Sequence, residues 1–131
     1  MGAWSEGSFD NDDAGDWVWE LEKAEDFSIL EEAFSAVTDA GDDPEASDCS
    51  VAVAAAEVVA ALRHQPAAKL PDEAEGFVAR LDRPPSPELV AAALAALRRV
   101  KKRSELQELW DESKDGEKWH EAIEELESRL Q

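Results

Sequence analysis

From Val51 to Leu62 every position is apolar except Glu57. A helix apolar on nearly every side belongs at the centre of a fold. A second alanine-rich stretch, Leu89 to Val100, is apolar up to Arg98. Elsewhere the apolar positions recur every three or four residues, the signature of one-faced helices. Trp17 and Leu21, with Ala14, make one such face. Ile29, Leu30, Ala33, Phe34 and Val37 make another. Phe77, Val78 and Leu81 form a short one, and Leu106, Leu109 and Trp110 a further one. Trp119, Ile123, Leu126 and Leu130 complete the series.

Start and stop residues separate these faces. Asp10 or Asn11 can cap a first helix that runs to about Lys23, with further acids at its positive end. Ser28 and Glu31 have capping-box spacing, and Gly41 is placed to end that helix. Asp43-Pro44-Glu45 predicts a start with Pro44 at the first helical position, and a helix to about His64. Pro66 and Pro71 bracket a turn before a short helix over 72–81, and Arg83-Pro84-Pro85 is a stiff linker. Ser86-Pro87-Glu88, Ser104-x-x-Gln107 and Asp115-Gly116 open the last three helices. The expected fold is all-α: a single compact antiparallel array of about seven helices around the two alanine-rich ones. Residues 1–131 form one domain, with residues 1–9 as an irregular arm packed on it.

Composition supports this and adds charge. The chain has 131 residues, is rich in Ala and Leu, lacks Tyr and carries a net charge of −19. The charge is uneven: residues 1–48 hold 16 acids against Lys23 alone, a balance of −15, leaving −4 for the rest. Such a first third repels nucleic acid and anionic lipid and suits a basic protein partner or a cation. Cys49 is the one cysteine, so no disulfide can form within the chain. No signal peptide, myristoylation pattern or membrane span is legible, and the cytoplasm is the expected location.

Candidate chemistry is sparse. Asp10, Asp12 and Asp16 are weak candidates for a divalent ion. A calcium loop counted from Asp10 has Asp12 and Gly15 in place but meets Ala14 and Leu21 where ligands are needed. Helix capping by a solvated acidic turn explains the same acids. Glu117-x-x-His120 has the spacing of carboxylate di-iron helices but no second copy. Cys49 at a helix start has no histidine placed to activate it and reads as a small, half-buried side chain. The basic run from Arg98 to Arg103 suits a helix C-terminus and pairing with the chain's own acids. Glu57 is the most informative residue. Either it lies on one narrow wet face of its helix, or it is a buried carboxylate satisfied by backbone N–H groups, an arginine or a tryptophan N–H. The arm over 1–9 has large apolar groups and backbone donors, so Glu57 is expected to accept hydrogen bonds from the arm or from a Trp N–H.

The opening Gly2-Ala3-Trp4, then Phe9-Asp10-Asn11-Asp12-Asp13-Ala14 and Asp16-Trp17, resembles a family of small bacterial proteins known as domain of unknown function 4259. The stretch Ala54 to Leu62 around Glu57, and Ser104-Glu105-Leu106-x-x-Leu109-Trp110 with Trp119, are similar to it as well. Ser5 and Gly15 depart from the family's pattern, which has glycine and a larger apolar residue there. The resemblance implies a bacterial source and one helical domain, and it implies no activity. It singles out Trp4, Asp10, Asn11, Asp12, Asp16, Trp17 and Glu57 as ligand-binding or structural residues. The expected function is a non-enzymatic binding or regulatory protein, of the immunity or antitoxin kind, that uses its acidic surface and needs no cofactor. The alternative is a small-ligand or divalent-cation protein centred on the acidic N-terminal motif and Glu57. A hydrolytic enzyme ranks third, since neither a phosphate-binding loop nor a serine elbow is present.

Overall fold

The computed structural model describes residues 12–41, 44–64, 70–81 and 83–131. Among these the chain is all-α, with seven helices and no strand: α1 (Asp12–Lys23), α2 (Ser28–Thr38), α3 (Ala46–Leu62), α4 (Asp72–Leu81), α5 (Pro87–Lys102), α6 (Glu105–Asp111) and α7 (Gly116–Leu130). The expected arm, residues 1–9, lies outside the described residues.

α3 touches each of the other six helices. It can do so because small side chains surround its axis: Ala52, Ala54, Ala55, Ala56 and Ala60 are fully buried. Side-chain size sets how closely helices approach, so alanine lets neighbours close in from every side. The second alanine-rich helix, α5, behaves differently. It buries one stripe, Leu89, Ala93, Ala96, Leu97 and Val100, and leaves Ala91 and Ala95 in solvent. The array is therefore centred on α3, with α5 on its flank. The other helices bury the stripes their spacing predicts. α1 turns in Ala14, Trp17, Val18 and Leu21, and α2 turns in Leu30, Ala33, Phe34 and Val37. α7 turns in Trp119, Ile123, Leu126 and Leu130.

Two sequence caps form as read. Ser86 Oγ accepts from the Leu89 amide at 3.1 Å with Pro87 behind it, and Ser104 Oγ accepts from the Gln107 amide at 3.0 Å. Ser104 also donates to the Val100 carbonyl at 2.6 Å, so one buried hydroxyl joins the end of α5 to the start of α6.

Four boundaries differ from the sequence reading. At α2 the cap residue is Phe27, and Ser28 is already helical. Asp26 takes the capping role instead, accepting from the Ser28 amide at 3.0 Å and its hydroxyl at 2.6 Å. Gly41 does not close α2; the helix ends at Thr38, and no described glycine has positive φ. Pro44 lies before α3, whose first residue is Ala46. The free Ala46 amide is capped from a distance: it donates to Glu105 Oε1 at 2.8 Å, while the Glu105 amide donates to the Pro44 carbonyl at 3.0 Å. Finally, α3 stops at Leu62, and His64 takes the left-handed turn at φ 63° that usually falls to glycine.

Candidate functional site

Glu57 sits at the middle of α3 and is 6% exposed. The wet-face reading of this residue is thus corrected. α3 is enclosed by its neighbours, so its carboxylate is buried with the alanines around it. Arg129 of α7 reaches it, with Nη1 2.8 Å from Glu57 Oε1, and the two side chains are 14% and 7% exposed. Arg129 Nε also donates to Glu125 Oε2 at 2.7 Å, one turn back on α7. Burial works against the charge on Arg129, but its hydrogen bonds and its attraction to Glu57 and Glu125 outweigh that and raise its pKa above the usual guanidinium value. The long aliphatic stem of arginine is what lets a residue near the end of α7 deliver a charge into the core. The arrangement ties α3 to α7.

Two further contacts fasten α7 in the same manner. Lys101 of α5 donates to Glu127 Oε1 at 2.7 Å and lies 3.6 Å from Glu124 Oε2. Glu127 is a second buried acid, 7% exposed. Arg63, just past α3, donates to the Leu130 carbonyl and so satisfies one of the carbonyls left open at the end of α7. Sequence reasoning missed Glu127 and Arg129. A signal for Glu127 existed: it stands four residues after Ile123 and three before Leu130, inside the apolar stripe of α7. No local signal marks Arg129, because its partner lies on another helix.

The other candidate residues do not gather around this pair as far as the described residues show. Asp12 and Asp16 are exposed on α1, and Trp17 is buried in the core. Trp4, Asp10 and Asn11 lie outside the described residues, and with them the expected contact between Glu57 and the arm. Among the described residues no group of three His, Cys, Asp or Glu side chains is placed to hold a metal ion. His120 pairs with Asp111, Nε2 to Oδ1 at 2.8 Å, and packs edge-on against Trp119. That contact and Gln107 hold the Asp111 carboxyl below its ordinary pKa. Glu117 is exposed.

Cys49 is fully buried rather than half-buried. Burial pushes its thiol up to about 11 from the ordinary 9.0. Two pKa units leave about a hundredfold less thiolate at a given pH, and the thiolate is the reactive form. The native chain should therefore react with a disulfide reagent at pH 8 more slowly than the urea-unfolded chain by at least that factor. Equal rates in the two states would show that Cys49 is accessible.

The basic run from Arg98 behaves largely as a helix end. Lys101 turns inward to the acids of α7, while Arg98, Lys102 and Arg103 are exposed. The acids of α1 and α2 are arranged otherwise. Asp12, Asp16, Glu20, Glu22, Glu31, Glu32 and Asp39 are all exposed. Among the described residues, the ion pairs all involve residues from Glu57 onward. No described helix is long and apolar enough to cross a membrane.

A family model described as a domain of unknown function (DUF4259) matches residues 2–122. Glu57 falls inside the matched span and Arg129 beyond it. No curated protein and no solved structure matches the chain.

Proposed function

We propose a function for a chain that belongs to the DUF4259 family: it is a non-enzymatic binding protein whose acidic first third engages a basic protein partner, in the manner of an immunity or antitoxin protein. The observation that carries this reading is the exposed set of carboxylates on α1 and α2, none of them in an ion pair among the described residues, whereas α3, α5 and α7 are tied by the pairs of Glu57 with Arg129 and Glu127 with Lys101. Like charges crowded on one surface repel one another and cost stability. A basic partner relieves that repulsion and is steered to the surface by it. The buried Glu57 belongs to the scaffold in this reading, because its charge is met by Arg129.

The test compares two variants of equal charge change. One replaces Asp12, Asp16, Glu20 and Glu22 with their amides; the other does the same at Glu108, Glu117, Glu121 and Glu124. Binding of a lysine homopolymer is measured by calorimetry at two salt concentrations. The first variant should bind at least tenfold more weakly than the second. Equal weakening in both would mean that net charge alone draws the polymer, and the proposal would fall.

A further inference from the structure

Trp19 is 63% exposed and is the one large hydrophobic side chain exposed among the described residues. Helix periodicity explains the exposure, since α1 buries the stripe through Ala14, Trp17, Val18 and Leu21 and position 19 points away from it. It does not explain why an indole stands on a face that otherwise carries Asp12, Asp16, Glu20, Glu22 and, one turn on, Lys23. Burying a side chain of this size is worth a few kcal/mol in general, and the fold leaves that gain unused.

Trp19 borders an open groove between α1 and α4 of about 320 Å³, lined also by Glu22, Asp72, Glu73, Gly76 and Arg80. The one cation in this lining is Arg80, whose Nη2 donates to the Leu21 and Ala24 carbonyls at 3.1 and 3.2 Å at the end of α1, while the side chain stays exposed. Beside it stand an indole face and three carboxylates, which outnumber the single guanidinium and leave the groove acidic. Gly76 lines the groove, and a Cβ there would meet nothing nearer than Arg80 Nη1 at 3.5 Å, so a side chain added at this position has room to enter it.

We propose that the α1–α4 groove docks a short basic segment of a partner protein, with an arginine side chain laid on Trp19 and its guanidinium held among Glu22, Asp72 and Glu73. This rests on the reading of the acidic third as a partner-binding surface, and it names the place and the anchor. Charge complementarity selects a cation. The indole selects arginine over lysine, because a planar guanidinium stacks on an aromatic face and bonds carboxylates with its edge at the same time. The groove is large enough for one such side chain and its neighbours, and it is open at the surface, as docking of an extended segment requires.

The experiment titrates the full ¹⁵N-labelled chain with the peptide acetyl-Arg-Gly-Arg-amide and with its lysine and glutamate counterparts. The arginine peptide should shift the Trp19 indole N–H and the Gly76 amide first, the lysine peptide less, and the glutamate peptide not at all. Trp19→Ala should weaken binding about tenfold, the equivalent of one stacked cation. Gly76→Leu fills the groove with a residue that helices favour, so it should abolish the shifts while the remaining spectrum stays dispersed. Shifts spread over other acidic positions, with Trp19 and Gly76 unmoved, would overturn the groove and leave the acidic-partner reading standing. Concentration-dependent shifts at Trp19 without peptide would assign the groove to a second copy of this chain and overturn the proposal. Failure of both the arginine peptide and the lysine homopolymer to bind would overturn the two readings together.

Discussion

Glu57→Ala should unfold at a markedly lower urea concentration than the parent chain, with a loss of about 3 kcal/mol. The reason is asymmetric. The intact pair gains Coulomb energy that roughly offsets the desolvation of two buried ions. Removing one partner leaves the other charge buried and under-compensated. Arg129 keeps Glu125 as a partner, which holds the expected loss at the lower end for broken buried pairs. Glu57→Gln should cost less, because an acceptor oxygen remains beside Arg129. The double replacement Glu57→Leu with Arg129→Met should recover most of the loss, since both charges leave the interior together. A coupling energy of about 1 kcal/mol or more across the cycle would place the tie between α3 and α7. A loss for Glu57→Ala no larger than that of an exposed pair, below about 1 kcal/mol, would show that the carboxylate reaches solvent.

Gly116→Ala should be the costliest methyl group that can be added at a described glycine. A Cβ at this first residue of α7 would stand 2.5 Å from the Trp110 carbonyl oxygen and 3.3 Å from its carbon. Both are backbone atoms and cannot swing aside as a side chain would. That carbonyl also accepts from the Ser113 amide at 2.9 Å, which fixes it further. Overpacking of this kind costs about 1–3 kcal/mol. The strain falls where Trp110 and Trp119 stack, with ring centroids 6.2 Å apart and planes within 7°. The near-ultraviolet dichroism of the variant should therefore lose intensity along with its stability. Gly15→Ala is the control. A Cβ there meets nothing within 4 Å, so the change should stabilise α1 by up to about 1 kcal/mol through helix propensity alone. Destabilisation of equal size at both positions would show that propensity, not the approach of α6 to α7, governs Gly116.

The close packing of α7 against α6 and its charged ties to α3 and α5 serve the same end. They brace a helix whose exposed side is strongly polar.

By itself the sequence determined the elements and their inward faces. A stripe at three- and four-residue spacing is buried because a helix brings those positions to one side, and this needs no knowledge of the neighbour. The same holds for α3, whose lack of any polar side required it to be central, and for Ser86 and Ser104, whose partners lie three residues away. Tertiary structure decided whatever depends on a partner far along the chain. The sequence marked Glu57 as anomalous but left its surroundings open, and only packing brought α7 alongside to supply Arg129. Glu105 caps α3 from 59 positions away, so the boundary at Ala46 could not be read from Pro44. The flanking place of α5 agrees with its charges, Glu88, Arg98, Arg99, Lys101 and Lys102, against Asp48 and Glu57 alone on α3, but which helices cover its one apolar stripe was settled by packing. Hydrophobic periodicity is a local property and survives in the bare sequence. Charge pairing and close backbone approach are properties of distance in space, and they come into being when the helices meet.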